Sequence, residues 1–261
     1  MQKITLISDI HSRCDALKQV IDDADSRIIC AGDIIGYGKD NNHNTSIELI
    51  REYCIDSIAG NWDRMATISH APQVENYKGN DLAEKELLNS QIPCGGTAPN
   101  NKYYNSSTKN ALEAIIANIT PTNKSYLCSL PDTLSLMGIY YFVHGGFHES
   151  QLKNGLASSN DFEVKQFNYN AFITADNVQS QFRPKCIIIH GHTHEASVYY
   201  EGKYTNVAPG SECDFEIENS KGAVISLPSL GRNVDKPNFN GYAILETGKE
   251  TTKIIFIETK I

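Results

Sequence analysis

The chain has 261 residues, of which 40% are hydrophobic and 21% are charged, and its formal net charge is -8 at pH 7. This length and composition are typical of a globular protein that buries a core without help from disulfides or structural metals. The negative charge argues against a surface that follows long nucleic acid, because such surfaces cluster Lys and Arg. We therefore expect a small-molecule substrate.

The N-terminal segment MQKITLISDI lacks the long apolar region of a signal peptide and leads directly into a strand-like pattern. No apolar run in the sequence is long enough to span a bilayer. From these two observations we expect a cytoplasmic protein that does not associate with membranes.

Short apolar runs rich in Ile and Val, each ending abruptly at polar residues, predict buried strands. These runs cover residues 3–9, 27–33, 54–61, 139–145 and 186–192. Helical patterns near residues 16–24 and 45–53 separate the first three runs, which indicates a βαβαβ start with a parallel sheet. In such sheets, ligands bind beyond the carboxyl ends of the strands.

The middle of the chain, residues 65–110, is polar and rich in Asn, with one helical pattern at residues 81–88. We interpret it as a cap-like insertion over the site, within a single domain that covers residues 1–261. Another helix is predicted at residues 168–182. After His194 the pattern alternates between strands and turns, which predicts mostly antiparallel sheet.

Potential metal ligands follow each of the five apolar runs. They are Asp9 with His11, Asp33, Asn61, His144, and His192 with His194. Carboxylates and imidazoles suit Mn, Fe or Zn, whereas Mg or Ca sites consist mostly of oxygen. Each motif alone could be an ordinary polar turn, but independent turns have no reason to carry complementary ligands in this order.

Seven ligands exceed what one ion takes, so we expect two ions that share a carboxylate. Two such ions hold a hydroxide between them, and this hydroxide can attack phosphorus. An extended backbone would bring His192 and His194 to one face. His190, one step earlier, is expected in the core or behind the ligands.

The segments SDIHS, AGDIIGYG, AGNWDR, VHGG and HGHTH resemble, in order and spacing, the five blocks of the calcineurin-like metallophosphoesterase superfamily. The GYG stretch and the tail SLPSLGRNVDKPNFNGYAIL are similar to a prokaryote-type branch of small phosphoesterases and phosphodiesterases. With this resemblance we expect an α/β fold, a four-layer α/β/β/α sandwich of two mixed β-sheets flanked by helices.

The resemblance also implies a ligand assignment. Asp9, His11, Asp33 and His194 would hold one ion, and Asp33, Asn61, His144 and His192 would hold the other. Asp33 would bridge the two ions, and Asn61 would also touch a phosphate oxygen. Asp33, Asn61 and His144 are therefore the catalytic candidates at the metal site.

The sequence departs from the family pattern at Trp62, where many members carry a histidine that protonates the leaving oxygen. An indole N–H cannot deliver a proton at useful pH. Trp62 could instead stack on an aromatic group of the substrate, or its ring could be packed under the cap. Arg64 could bind a phosphate oxygen or be a surface arginine. His148, four residues after His144, is the nearest spare imidazole for a surrogate acid.

These observations predict a dinuclear-metal phosphoesterase that acts on phosphodiesters or small activated phosphate esters. One alternative is a metal-binding scaffold of the same fold with little activity. Another is a phosphomonoesterase that acts on proteins or nucleotides. A nuclease on long nucleic acid would need a basic groove that the composition does not indicate.

Overall fold

The computed structural model describes residues 2–36, 42–68, 106–210, 213–231 and 240–259. The strands in this part of the chain are β1 (Gln2–Ile7), β2 (Arg27–Cys30), β3 (Cys54–Ser57), β4 (Thr133–Leu136), β5 (Tyr140–Val143), β6 (Ile187–His190), β7 (Ser197–Tyr200), β8 (Lys203–Asn206), β9 (Cys213–Glu218), β10 (Ala223–Ser226), β11 (Gly241–Thr247) and β12 (Thr251–Glu258). The helices are α1 (Cys14–Asp23), α2 (His43–Tyr53), α3 (Asn61–Ile68), α4 (Ser106–Asn118), α5 (Pro121–Ser129), α6 (Glu149–Asn154), α7 (Phe162–Asn170) and α8 (Val178–Gln181).

The strands form two mixed six-stranded sheets. The first sheet has the order β3-β2-β1-β11-β12-β9, and the second has the order β4-β5-β6-β10-β7-β8. Strands β1, β2 and β3 run parallel, as the βαβαβ pattern predicts, whereas β1 pairs with β11 antiparallel. In the second sheet β5, β6 and β10 run parallel, and β4, β7 and β8 complete it antiparallel.

Alternating side chains of each central strand enter two different cores. In β1, Leu6 belongs to the core between the two sheets, while Ile7 packs on the helices outside the first sheet. In β6, Ile189 faces the core between the sheets and Ile188 faces the helices of the second sheet. A period of two residues places successive side chains on opposite faces. The four-layer α/β/β/α sandwich expected from the sequence is confirmed.

The predicted helix at residues 168–182 is wrong. Helix α7 ends at Asn170, α8 covers only Val178–Gln181, and residues 171–177 between them are not helical. The side chain of Asn177 accepts a hydrogen bond from the backbone of Thr174 (2.7 Å) and donates one to the carbonyl of Phe172 (2.8 Å). Asn side chains that bond the local backbone in this way stabilise turns at the expense of helix.

Most of the predicted insertion at residues 65–110, including the helix predicted at 81–88, lies outside the described residues. Its two described ends belong to helices: α3 continues to Ile68, with Met65 and Ala66 buried, and α4 begins at Ser106. The interpretation of the segment as a cap stays a prediction. None of the helices in the described ranges has both the length and the apolar character that crossing a bilayer requires.

Candidate metal centre

The predicted ligands meet where the ends of five strands converge. Strands β1 and β2 lead to the three ligands Asp9, His11 and Asp33, and β3 leads to Asn61 at the start of α3. Strand β5 is followed by His144, and β6 by His192 and His194. Apart from the partly exposed His194, these side chains are buried. All seven residues predicted from the sequence are thus brought together.

One group of potential ligand atoms consists of Asp9, His11 and His194. The ligand atoms of these three residues lie within 4.8 Å of one another. The Nε2 atom of His194 lies 3.3 Å from Oδ1 of Asp9 and 3.0 Å from Nε2 of His11. The three side chains therefore direct one carboxylate oxygen and two imidazole nitrogens at a common point.

A second group consists of Asp33, His144 and His192, with ligand atoms again within 4.8 Å of one another. The amide oxygen of Asn61 completes it, 2.9 Å from Nδ1 of His192 and 3.1 Å from Nε2 of His144. The Oδ2 atom of Asp33 lies 3.4 Å from Nε2 of His144 and 3.9 Å from Nε2 of His11. The Asp33 carboxylate therefore lies between the two groups.

Hydrogen bonds to the backbone orient these side chains. The Nδ1 atom of His144 lies 2.8 Å from the carbonyl oxygen of Ala31. Because a carbonyl only accepts, Nδ1 carries the proton, and in the neutral ring the Nε2 lone pair faces the site. The backbone N–H of His192 donates to Oδ2 of Asp9 (3.0 Å), and that of Trp62 donates to Oδ1 of Asp33 (2.9 Å).

Five of the seven residues have left-handed backbone conformations. Their φ angles are 51° for Asp9, 47° for His11, 52° for Asp33, 66° for His192 and 59° for His194. Each such residue costs about 1 kcal/mol or more unless the surroundings impose it, and these conformations are known to cluster at functional sites. The expectation of an extended backbone at His192 and His194 is therefore wrong. The two side chains point into different ligand groups because the chain turns at both positions.

Two glycines let the backbone approach the carboxylates. A Cβ atom on Gly60 would lie 2.1 Å from Oδ1 of Asp33 and 2.3 Å from its backbone nitrogen. A Cβ atom on Gly191 would lie 1.9 Å from Oγ of Ser8 and 2.6 Å from Oδ2 of Asp9. Only glycine fits at these distances. This explains why a glycine precedes Asn61 and another precedes His192.

Burial and opposite charge set the titration of the site. Burial alone would raise the pKa values of Asp9 and Asp33, but the neighbouring imidazoles hold both below their usual range. Burial lowers the pKa of His11 to about 4 and that of His192 to about 3. For His144 burial also acts to lower the pKa, but Asp33 and Asp9 raise it to about 9. The carboxylates are therefore charged at neutral pH and can hold cations.

Trp62 does not offer a stacking surface. Its side chain is 1% exposed and belongs to the core between the first sheet and its helices. The ring meets the imidazole of His11 edge to face, with centroids 6.3 Å apart. The interpretation of Trp62 as a substrate-binding platform is therefore wrong, and the alternative of a packed ring describes it. Its backbone N–H contributes to the site by fixing Asp33.

Asp63 was not among the predicted site residues, yet it supports the site. Its buried carboxylate accepts hydrogen bonds from the backbone N–H groups of Ile34 (3.1 Å), Ile35 (3.2 Å) and Gly60 (2.9 Å). These bonds tie the segment after Asp33 to the segment before Asn61. Burial raises the pKa of Asp63 to about 7, and the charge of Asp33 acts in the same direction. The acid beside Trp62 was the sequence signal, but its partners are backbone groups that a motif does not show.

Arg64 is engaged elsewhere. Its Nε donates to Oδ1 of Asp132 (2.9 Å), and the remaining guanidinium nitrogens donate to Asp132 and to the backbone carbonyls of Leu127, Cys128 and Leu130. Only 15% of its side chain is exposed. Both predicted alternatives, a phosphate-binding residue and a surface arginine, are therefore wrong. Arg64 fixes the chain after α5 to helix α3.

His148 is the N-cap of helix α6. Its Nδ1 accepts a hydrogen bond from the backbone N–H of Ser150 (3.3 Å), while its own N–H donates to Oε1 of Gln151 (3.0 Å). The ring packs against Phe167, with centroids 5.4 Å apart. These contacts give His148 a structural role and lend no support to the hypothesis of a surrogate acid. His190 is buried with Nδ1 facing the carbonyl of Gly191, as expected for a residue behind the ligands.

The fold and the site together define a metallophosphoesterase, and comparison with known proteins agrees. The sequence matches the calcineurin-like phosphoesterase family over residues 2–209, and the chain belongs to this family. Family membership gives the class of reaction, hydrolysis of a phosphate ester.

Similar proteins cover different shares of the chain. An uncharacterized protein of Methanocaldococcus jannaschii is 47% identical over 64 residues, which span 23% of this chain and 26% of that relative. A crystal structure of a metallophosphoesterase from Sphaerobacter thermophilus aligns with a TM-score of 0.62 at 20% identity, covering 99% of this chain and 89% of that one. A putative diadenosine tetraphosphatase aligns with a TM-score of 0.49 at 14% identity, covering 98% and 93%. The Sphaerobacter structure supports the fold.

Proposed function

We propose that this protein is a dinuclear-metal phosphoesterase that hydrolyses small phosphate esters and accepts phosphodiesters. The observation that carries the proposal is the position of Asp33. Its carboxylate lies between two groups of buried carboxylate and imidazole ligands, within 3.9 Å of an imidazole from each. A carboxylate in this position suits a bridge between two cations, in keeping with the sharing of Asp33 that the family resemblance implies.

The residues present fit transition-metal ions. Oxygen and imidazole donors favour Mn, Fe or Zn over Mg or Ca. In the second group, Nδ1 of His192 (2.9 Å) and Nε2 of His144 (3.1 Å) both face the amide oxygen of Asn61, and Oδ2 of Asp33 lies 3.4 Å from the same Nε2. The two imidazole nitrogens and the two oxygens are therefore directed at a common point. A cation there would be bound by all four side chains.

Each group has a distinct task in the proposed reaction. Bound divalent ions would supply an activated water molecule and positive charge against the phosphate. Asp33, fixed by the N–H of Trp62, would keep the two ligand groups in register. Asn61 directs its amide oxygen at His192 and His144, so its Nδ2 group is available only as a donor and would bind a non-bridging phosphate oxygen.

The leaving group must depart without the usual proton donor. Trp62 replaces the histidine of many family members and is buried, and His148 is used as a helix cap. General acid catalysis is typically worth about 10²- to 10⁴-fold. Esters of acidic alcohols and phenols are therefore better substrates than alkyl monoesters. Diesters carry one negative charge fewer than monoester dianions, which favours attack by a nucleophile.

An inactive metal-binding scaffold is the competing hypothesis. Such a scaffold commonly loses ligands, whereas this chain carries all seven candidate residues, with their side chains close together, which supports the hydrolase. The test is to reconstitute purified protein with Mn, Zn or Fe, and to measure metal content and turnover of bis- and mono-p-nitrophenyl phosphate. We expect two ions per chain and preferred hydrolysis of the diester. Fully loaded protein that hydrolyses neither ester would identify a scaffold, and a single ion per chain would contradict the dinuclear site.

A further inference from the structure

An exposed aromatic side chain lies directly beside the metal ligands. Phe172 is 50% exposed, and its ring contacts the imidazole of His192 with centroids 5.5 Å apart and an interplanar angle of 77°. The other exposed large hydrophobic side chains of the described residues are Tyr53, Ile55, Met137 and Phe167. Of these five, Phe172 is the one whose ring contact is with a candidate ligand.

The backbone around Phe172 is fixed although its ring is exposed. The next residue, Ile173, is 4% exposed and packs in the core beneath the second sheet. The side chain of Asn177 donates to the carbonyl oxygen of Phe172 (2.8 Å). On the other side, a Cβ atom on Gly145 would lie 2.6 Å from the backbone nitrogen of Ala171. The ring is therefore presented by a rigid turn, and a rigid contact loses little entropy when a ligand binds.

Contact with a substrate would account for the position of this ring. A half-exposed phenyl ring leaves apolar area in water, and a second planar group stacked on it would remove that area. Trp62, an aromatic residue that the structure also describes at the site, is buried and cannot serve. The turn that carries Phe172 is not part of the five ligand segments. The metal ligands therefore do not require an aromatic residue at this position.

We propose that Phe172 determines substrate specificity by binding a planar aromatic group of the phosphate ester. This inference rests on the proposed function and names the substrate class, esters that carry an aryl group or a nucleobase close to the phosphate. An aryl leaving group also departs without a proton donor, which agrees with the burial of Trp62. Base and aryl rings share the same flat π-face, so one ring accepts both.

The first test measures binding without turnover. Calorimetry on Mn-loaded protein compares phenylphosphonate with methylphosphonate, which share the phosphonate and differ in the ring. We expect the wild type to bind the phenyl compound about tenfold more tightly, since stacking of a ring on an aromatic side chain is typically worth that much or more. Phe172→Leu should remove most of this preference, and Phe172→Tyr should keep it.

Phe167→Leu is the matched control. Phe167 is 37% exposed and lies five residues earlier, but its ring contacts His148. This variant should keep the phenyl preference of the wild type, at equal metal content and an unchanged far-ultraviolet spectrum. An equal preference in wild type and Phe172→Leu would overturn the proposal, and so would a wild type with no preference at all.

A kinetic test identifies which part of the substrate carries the aromatic ring. It also separates the proposed aromatic subsite from the proposed hydrolase activity. The ratio of kcat/KM is measured for phenyl phosphate against methyl phosphate, and for thymidine 5′-monophosphate against ribose 5-phosphate. If Phe172→Leu loses the preference for phenyl phosphate over methyl phosphate, the ring that Phe172 binds belongs to an aryl leaving group. If it loses the preference for the nucleotide over ribose 5-phosphate, the ring is a nucleobase. If no ester is hydrolysed but phosphonate binding depends on Phe172, the proposed function fails and the aromatic subsite stands. If esters are hydrolysed and no ratio changes, the subsite is overturned and the hydrolase stands.

Discussion

The two sheets contribute different chemistry to the site. The first sheet supplies the candidate oxygen ligands Asp9, Asp33 and Asn61 and one candidate imidazole ligand, whereas the second supplies candidate imidazole ligands only. Neither sheet alone carries a complete ligand group, since the first group needs His194 and the second needs His144 and His192. The site therefore depends on the way in which the two layers face each other.

Hydrogen bonds between the sheets maintain this arrangement. His144 of the second sheet bonds to the carbonyl of Ala31 in the first, and the backbone of His192 bonds to the carboxylate of Asp9. Each sheet thus orients a ligand of the other. A change at the contact between the sheets should affect metal binding even where no ligand is altered.

The largest effect is expected from Asp33→Asn, because this carboxylate lies between both ligand groups. The amide removes a negative charge and one acceptor, so both ions should bind more weakly. The loss of activity should exceed the roughly 10- to 100-fold loss that is typical when a residue hydrogen-bonded to a metal ligand is replaced. Elemental analysis and kcat/KM for bis-p-nitrophenyl phosphate measure the effect. A variant that keeps two ions and wild-type turnover would contradict the proposed bridge.

The next effect separates Gly60, which lies against Asp33 within the first sheet, from Gly191, which follows a strand of the second sheet and lies against Ser8 and Asp9 of the first. In Gly60→Ala the new methyl group would meet the backbone nitrogen of Asp33 at 2.3 Å, whereas in Gly191→Ala it would first meet the side-chain oxygen of Ser8. Side chains can move and backbone cannot, so Gly60→Ala should reduce metal affinity and stability more. Overpacking of this kind costs about 1–3 kcal/mol.

A double variant provides the control for this pair. Ser8→Ala combined with Gly191→Ala removes the oxygen at 1.9 Å and should restore part of the metal affinity. Metal titration and urea unfolding of the four proteins, wild type included, make the comparison. Equal losses in both glycine variants would mean that the contact within the first sheet and the contact between the sheets tolerate crowding alike.

An intermediate effect is expected from Asp63→Asn on the side of the first sheet. The amide nitrogen cannot accept, so at least one of the N–H groups of Ile34, Ile35 and Gly60 loses its partner. Unfolding free energy should fall by about 1–3 kcal/mol, and metal affinity by about 10- to 100-fold. Urea unfolding of the metal-free protein measures the loss of stability separately from the loss of metal affinity. Unchanged metal affinity would restrict Asp63 to a role in stability.

A smaller effect on function is expected from Arg64→Ala. The variant removes one donor from Asp132 and from each of three backbone carbonyls, so stability should fall by about 1–3 kcal/mol. Because the guanidinium is directed away from the ligands, KM for phosphate esters should change little. The measurement is the melting temperature beside KM at matched metal content. A large rise in KM with unchanged stability would restore a role in phosphate binding.

The smallest effect is expected from His148→Ala, the corresponding residue on the side of the second sheet. Loss of the N-cap of α6 should lower stability by about 1 kcal/mol. The dependence of kcat/KM on leaving-group pKa should stay that of the wild type. A steeper dependence in the variant would show that His148 delivers a proton after all.

Much of the site could be predicted from the sequence, because each ligand directly follows an apolar strand and strand ends converge in a sheet of this type. Asp9, Asp33 and His144 are residues whose place in the site could be predicted in this way. The conformation of His192 and His194 could not be predicted, since left-handed residues are imposed by tertiary contacts and not by local preference. The role of Trp62 also depended on contact, because only the packing of α3 decides whether its ring is buried.

The same reason explains the errors outside the ligands. Residues 168–182 contain a pattern compatible with one helix, but the side chain of Asn177 stabilises a turn in that segment. Arg64 looked available because its partner Asp132 lies far along the chain. Sequence patterns report the environment of a segment on average. Single hydrogen bonds decide its details, whether they are local, as at Asn177, or join distant residues, as at Arg64.

The central position of β1 has a consequence for the order of events during protein synthesis. Strand β1 is made long before β11, which is one of its two neighbours in the sheet. Such distant pairing is slow to form, since the intervening chain must first be in place. His194 and Ser229, whose side chain donates to the carbonyl of Asp9, lie between β1 and β11 in the chain. The candidate ligands that follow β1 therefore reach their final environment only after the whole segment from β1 to β11 has been made.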